Sequence, residues 1–260
     1  MSKKQPVIAR FVRPLINANV RLSRRMEATL HLPTDKTLWG YFDRRADTLL
    51  RALPDDAVVL DLGGGRRFIY RKSIQPEGRL RVIAVDVSAD ELALNGDVRE
   101  TCVADVSAGL PLPAASVDLI LSRALLEHVN GVPAAIGHMA DVLRPGGVAL
   151  HMVPCRYSLF GMAARILPFG PLLRLTHLVM PNTRGNVEFP VVYDHCWPQA
   201  LENAFKTAGF NEVKCELTWA CPGYFEAVFP LFVLHAAWEW TIRKLGIRSL
   251  AAYTVVCATR

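Results

Sequence analysis

The chain is predicted to fold as an α/β protein on a mostly parallel sheet with helices on its faces. Three observations point there. From Arg51 onward, apolar runs of strand length alternate with stretches of helical spacing, the pattern of strand–helix–strand units. The run Val58-Val59-Leu60-Asp61-Leu62 breaks into Gly63-Gly64-Gly65, as a strand buried on both faces does when it feeds a tight turn and a helix N-terminus. Roughly twenty residues on, Val82-Ile83-Ala84-Val85 closes on Asp86, a second buried strand ending in the kind of acid that accepts from a ribose diol. The glycine bend and the acid together imply a nucleoside-containing ligand.

The elements follow in order. Strands are expected at 57–61, 80–85, 100–104, 117–121 and 148–153. Pro133 to Leu143 has helical spacing and meets Arg144-Pro145-Gly146-Gly147, a strong helix stop. Residues 154–195 break the alternation with two apolar, Pro-bounded helical stretches and a Pro/Asn/Gly-rich turn at 181–186, and read as an inserted helical cap. A helix then runs from Trp197 to Ala208 and is closed by Gly209; a strand follows at 211–218, an apolar helical segment at 224–245 and a final strand at 251–259. The expected organisation is a basic N-terminal arm and cap helix over 1–48 and one α/β domain over 49–260.

A chain of 260 residues, 51% hydrophobic and 21% charged, can bury a sizeable core and is not disordered over most of its length. The formal charge of +6 is unevenly placed. Lys3, Lys4, Arg10, Arg13, Arg21, Arg24 and Arg25 all precede the first acid, Glu27, and such an arm suits anionic lipid or nucleic acid. Six cysteines, at 102, 155, 196, 215, 221 and 257, form no C-x-x-C pair, so a reducing compartment and no metal site are expected. The N-terminus lacks the continuous apolar core of a secretory signal. Charges and prolines cut or bracket both apolar regions, 158–180 and 227–234, leaving them too short or too interrupted to span a bilayer but able to lie in its interface.

Which nucleoside ligand is decided at the glycine bend. A dinucleotide fingerprint needs a third glycine where Phe68 stands, and that glycine exists to let helix and strand pack closely. Nicotinamide dinucleotides are therefore disfavoured. Val-Leu-Asp-Leu-Gly-Gly-Gly, Ala-Val-Asp-Val-Ser, Val-Ala-Asp-Val, Ser-Val-Asp-Leu-Ile and Leu-Arg-Pro-Gly-Gly follow one another in a succession that resembles class I S-adenosylmethionine-dependent methyltransferases of the type 11 methyltransferase domain group. The resemblance implies a doubly wound, mostly parallel, seven-stranded Rossmann-like sheet and S-adenosylmethionine as cofactor. It also implies roles. Asp61, Gly63, Gly64 and Gly65 would hold the methionine and ribose portions, Asp86 the ribose hydroxyls, and Val87 one side of the adenine. Asp105 would accept from the adenine amine with Val106 beside it, and Ser122 would stand at the methionine end. Arg67 replaces the last glycine common in the group, and Arg66 and Arg67 bring positive charge beside a loop expected to hold a sulfonium cation. Outside the resemblance, each of Asp86 and Asp105 also reads as a helix N-cap.

Methyl transfer to a hydroxyl needs alignment, exclusion of water and a base. Two histidines are candidates. His195 closes Phe189-Pro190-Val191-Val192-Tyr193-Asp194-His195, where Tyr193 adds a polar group and a carboxylate beside an imidazole raises its basicity; the same acid and histidine also read as a cap for the helix at Trp197. His128 lies in Leu125-Leu126-Glu127-His128-Val129, just past the fourth strand, at the sheet edge where α/β folds bind ligands. Phe225, Phe229, Phe232, Trp238 and Trp240 followed by Arg243 and Lys244 suit a membrane–water boundary. The expected function is O-methylation of a glycan, glycolipid or other lipophilic intermediate by a cytoplasmic enzyme in peripheral contact with the inner face of the membrane, acting on a small-molecule or lipid-linked acceptor. C-methylation of a quinone-type ring and a non-catalytic cofactor-binding scaffold are the alternatives. No nucleic-acid partner is expected: no compact RNA-binding module is visible, and Ser122-Arg123-Ala124-Leu125 stands where an amino-methylating Asn/Asp-Pro-Pro-Tyr signature would be.

Overall fold

Side chains along the central strands alternate between two apolar layers, and that alternation builds the molecule. The computed structural model describes residues 7–32, 35–179, 190–220, 223 and 225–260. The strands are β1 (Val58–Leu62), β2 (Arg81–Asp86), β3 (Glu100–Val103), β4 (Val117–Arg123), β5 (Leu143–Pro154), β6 (Glu212–Thr218) and β7 (Tyr253–Thr259). They form one sheet of order β3-β2-β1-β4-β5-β7-β6. β7 runs antiparallel to both its neighbours and the remaining pairs are parallel. In chain order the helices are α1 (Val7–Thr29), α2 (Asp35–Ala52), α3 (Ala89–Ala93), α4 (Val132–Val142), α5 (Leu159–Ile166), α6 (Phe169–Val179), α7 (Pro198–Thr207) and α8 (Phe229–Lys244).

Leu60 of β1, Ile83 and Val85 of β2 and Ile120 of β4 join Ile136 and Met139 of α4 and Leu201 and Phe205 of α7 in one core. Val59, Val82, Leu119 and Leu121, each one residue out of phase, join Leu38, Phe42, Ala46 and Leu50 of α2 in the other. The four α2 residues recur every fourth position, so one helical stripe covers that face. Both faces are thus dry, as the apolar strand runs demand.

Strand order reverses between β1 and β4: the chain moves outward through β2 and β3, then crosses back to pair β4 with β1. Such a reversal opens a crevice at the carboxyl ends of the strands, and the glycine bend lies there, just past Leu62.

Two elements differ from the sequence expectation. The Arg144–Gly147 segment, expected as a stop between helix and strand, is taken into β5 because Leu143 pairs with Val117 across a local irregularity of register. The segment expected as a helix over 224–245 is a short turn at Phe225–Ala227 followed by α8. The chain turns there because the N–H of Phe229 bonds the side chain of Asn19, 2.9 Å away on α1. The basic arm is therefore a 23-residue helix docked on α8. The boundary expected at 48/49 falls within α2, and the Pro/Asn/Gly-rich turn at 181–186 lies outside the described residues.

Candidate functional site

The bend after β1 is tied down from below. The N–H groups of Gly63 and Gly64 both donate to the carbonyl of Val85, at 2.8 and 3.2 Å, so β2 holds the loop flat over its own end. Gly63 has φ +72°, a left-handed conformation that favours glycine. A Cβ on Gly64 would lie 2.9 Å from both the Ala84 methyl and the Asp61 carbonyl oxygen, so no side chain fits there. The amide of Gly65 donates to Asp86 Oδ2 at 3.1 Å, and the amide of Ser88 donates to Oδ1 at 2.9 Å. These bonds aim the Asp86 carboxylate across the loop. The N-cap of α3 is Ser88, not Asp86. Val87 beside it is 58% exposed, an apolar surface left bare at the strand end. Asp105, two residues beyond β3, accepts at Oδ1 from the amide and hydroxyl of Ser107 and is exposed, with Val106 buried behind it.

Asp61 lies under the bend. Burial pushes its carboxyl up to about 7, against the lowering influence of Arg123 and with a raising contribution from Asp86. Arg123 ends β4, 5.0 Å over the ring of Trp39 and 3.5 Å from Asp43 Oδ1. Asp43 in turn accepts from the hydroxyl of Tyr70 at 2.9 Å. Sequence reading missed Trp39, Asp43 and Arg123, which sit on α2 and β4 and carry no motif. It also missed Asn95, whose Nδ2 donates to the Gly65 carbonyl at 2.9 Å. Arg66 is engaged elsewhere, in a two-pronged pair with Glu91 at 2.6 and 2.8 Å. A cradle closed to side chains, a ribose-height carboxylate and an exposed apolar platform fit an adenosyl group, with Asp61 below the bend for its methionine end. Ser122 is fully buried, its Oγ 2.7 Å from His151 Nδ1; burial holds that imidazole neutral, down to about 3.

The segment after β4 lies against the bend: the Leu125 side chain would stand 3.2 Å from a Cβ placed on Gly63. Three residues on, His128 Nδ1 donates to the Pro190 carbonyl at 3.0 Å, which turns Nε2 toward Glu127, 3.7 Å away. Glu127 is buried, its Oε2 has no hydrogen-bond partner, and burial raises its carboxyl to about 8. Its backbone carbonyl accepts from the amides of Val192 and Tyr193, which stitches the end of the cap to this turn. Glu127 is the acid that sequence reading passed over, and its signal was a lone carboxylate among leucines.

The Tyr193–His195 cluster is arranged differently from the expectation. Asp194 does not cap the helix at Trp197. Its Oδ2 accepts from the amides of Gly131 and Val132, each at 3.0 Å, and so caps α4 through space. Its Oδ1 lies 2.6 Å from His195 Nδ1. Burial raises the Asp194 carboxyl, but the His195 hydrogen bond and the two amides outweigh burial and hold it below its ordinary value. The His195 ring stacks on Trp197 at 5.7 Å and faces a groove of about 490 Å³ between α4 and α7, a groove to which the glycine bend contributes nothing. Tyr193 is buried, its carbonyl accepting from Arg156. Among the described residues, no group of three or more His, Cys, Asp or Glu is placed to hold a metal ion.

Comparison with known proteins agrees with this geometry. The methyltransferase domain family matches residues 38–214. An uncharacterized methyltransferase of Mycobacteroides abscessus is 30% identical over 243 residues, covering 89% of this chain and 83% of the relative. A ubiquinone biosynthesis O-methyltransferase of Rhodopseudomonas palustris is 30% identical over 121 residues, 42% of this chain and 44% of that protein. The solved phosphoethanolamine N-methyltransferase 2 of Haemonchus contortus, in complex with S-adenosyl-L-methionine, superposes with a TM-score of 0.52 at 15% identity, over 85% of this chain and 52% of that longer one. With its seven-stranded sheet, its side-chain-free bend and its strand-end acids, the chain belongs to the class I methyltransferases that use S-adenosylmethionine as methyl donor.

Proposed function

We propose that the protein methylates a hydroxyl oxygen of a lipophilic biosynthetic intermediate, with a glycolipid or lipid-linked glycan as the leading class. The observation that carries the lipophilic assignment is a cavity of about 330 Å³ between α2, β6 and α8, lined by Leu38, Tyr41, Leu217, Trp219, Ala236 and Trp240 among others. It lies at the carboxyl end of β6, the sheet edge that also bears the glycine bend, since Thr218 and Pro154 both pair with Tyr253. α2 links the two along that edge: it contributes Leu38 and Tyr41 to the cavity and brings Trp39 and Asp43 to Arg123.

The cofactor supplies a methyl group on a positively charged sulfur that leaves as a neutral thioether. The chain has to align the acceptor, exclude water and take a proton. His128 is the base we assign, because it follows the turn packed on Gly63 and its ring is oriented by the Pro190 carbonyl, with Glu127 behind. The acceptor oxygen forms its bond to the methyl carbon as the carbon–sulfur bond breaks, and the hydroxyl proton passes to Nε2. A hydroxylated quinone precursor is the second acceptor class, favoured by the matched stretch of the ubiquinone-biosynthesis O-methyltransferase.

Labelled donor incubated with the protein and a panel of hydroxylated lipids tests the reading. Label should appear in the organic phase, and His128→Ala should lower turnover by about 10²–10⁴ with unchanged donor affinity, while His195→Ala falls by less. Tight donor binding with no methylated product across the panel would instead identify a scaffold. A loss confined to His195→Ala would move the base to the Asp194–His195 pair.

A further inference from the structure

A helix that is apolar all round is normally buried all round. α8 carries apolar residues on more than one face up to Trp240, and is buried on one side only. Phe232, His235, Ala236 and Ile242 face the protein. Leu231, Leu234, Trp238 and Leu245 recur at the spacing that lines one helical face and are bare, with Leu234 at 69% and Leu245 at 67% exposure. Trp240 flanks this stripe, with Lys244 4.8 Å over its ring.

α1 runs alongside. Ser23 and Arg24 bond the backbone and side chain of Glu226, and Asn19 caps α8. Its own bare face holds Leu15 and Leu22 with Arg21 and Arg25 between and beside them. The acids of the two helices and their junction are paired or partly withdrawn: Glu226 pairs with Arg24, Glu239 is partly buried with one oxygen 3.3 Å from the neutral His235 ring, and Glu27 is partly buried and partnered. The exposed large side chains on the two helices include leucine, tryptophan, arginine and lysine, among smaller exposed residues such as Asn17, Ala237 and Thr241. No helix among the described residues is long and apolar enough to cross a membrane.

We propose that α8 and α1 form a docking face for an anionic lipid bilayer. The leucines and Trp238 sit at the acyl boundary, and Arg21, Arg25, Arg243 and Lys244 lie against the headgroups. Because the chain leaves β6 and enters β7 at the carboxyl edge of the sheet, this face adjoins the edge that bears the glycine bend and the cavity beside α2. The proposal rests on the lipophilic reading only for its purpose. Docking itself is measured with neither donor nor acceptor.

Flotation of the full chain with phosphatidylcholine vesicles containing 30% phosphatidylglycerol (roughly the anionic content that attracts basic segments) is the test. The protein should float, stay in the aqueous fraction with pure phosphatidylcholine at 0.15 M salt, and be released at 0.5 M salt. Leu234→Glu/Trp238→Glu and Arg21→Glu/Arg25→Glu should each weaken binding at least tenfold, while melting temperature and affinity for S-adenosylhomocysteine stay unchanged. A chain that never floats overturns the proposal, as does equal flotation of the variants. So does a dimer in light scattering that Leu234→Glu dissolves, which would show that a second copy covers the stripe. Docking without methylation of any lipid would leave this proposal standing and remove the acceptor assignment.

Discussion

At the scale of single residues, Gly64 is a position of the bend that is closed to any side chain. Ala84 and the Asp61 carbonyl stand 2.9 Å from where its Cβ would be, and the Ala84 methyl and a strand backbone have no room to retreat. Gly64→Ala should therefore lower stability by about 1–3 kcal/mol, as other overpacked sites do, and weaken donor binding more than tenfold by lifting the bend. Chemical unfolding and calorimetry with S-adenosylhomocysteine measure the two effects, and a variant with wild-type donor affinity would separate the bend from the donor. This residue was legible in the sequence because a glycine run after a β-branched strand has few other physical reasons to exist. Glu127 and Arg123 were not legible. A buried carboxyl with one oxygen unbonded and a strand-end guanidinium look in one dimension like any other charge, and only packing reveals that one is dry and the other lies above Trp39 and beside Asp43.

At the scale of elements, the start of α4 depends on a residue more than sixty positions away. Gly131, its N-cap, has no side chain with which to cap, so Asp194 supplies the acceptor. Asp194→Ala should destabilise the protein by about 0.5–2 kcal/mol, the usual worth of a lost cap. The effect should shrink at acid pH: a carboxyl held below its ordinary value contributes stability above that value and loses it as pH falls through the lowered one. Thermal melts of both proteins at neutral and acid pH check this; an undiminished difference would mean that Asp194 acts uncharged. Strands 57–61 and 80–85 were read to within one residue of β1 and β2 because apolar runs bounded by glycine and acids carry their own ends. The break before Phe229 was only half legible: Pro230 in the first turn of α8 marks it in the sequence, but the group that meets the Phe229 amide is the side chain of Asn19 on α1.

At the scale of the whole molecule, buried titratable groups set the response to pH. Glu127 holds its proton to about 8 and Asp61 to about 7, whereas in the unfolded chain they release it near 4.5 and 3.8. Across those windows the folded state binds more protons, so stability falls as pH rises. His151 and His235 have the opposite sense. They stay neutral down to about 3 and about 4, against 6.5 unfolded, so they weaken the fold as pH drops below 6.5. Between pH 6.5 and 8 the carboxyl effect dominates, before the buried thiols of Cys155, Cys196 and Cys215 add to it nearer pH 9. The melting temperature should therefore decline from pH 6.5 to 8, and Glu127→Gln should flatten most of that decline. An unchanged slope in the variant would mean that Glu127 is already ionised in the folded protein.

The sequence alone determined the sheet, the glycine bend, the acids at two strand ends and the class of donor. Each of these is written in residues adjacent in the chain, where hydrophobic period and glycine placement act locally. Only the tertiary structure decided which histidine follows the bend, what caps α4, and that α8 hides one apolar face and bares another. Those outcomes depend on which distant side chains share a surface, and burial, with the desolvation it brings, has no signature along a single strand of text.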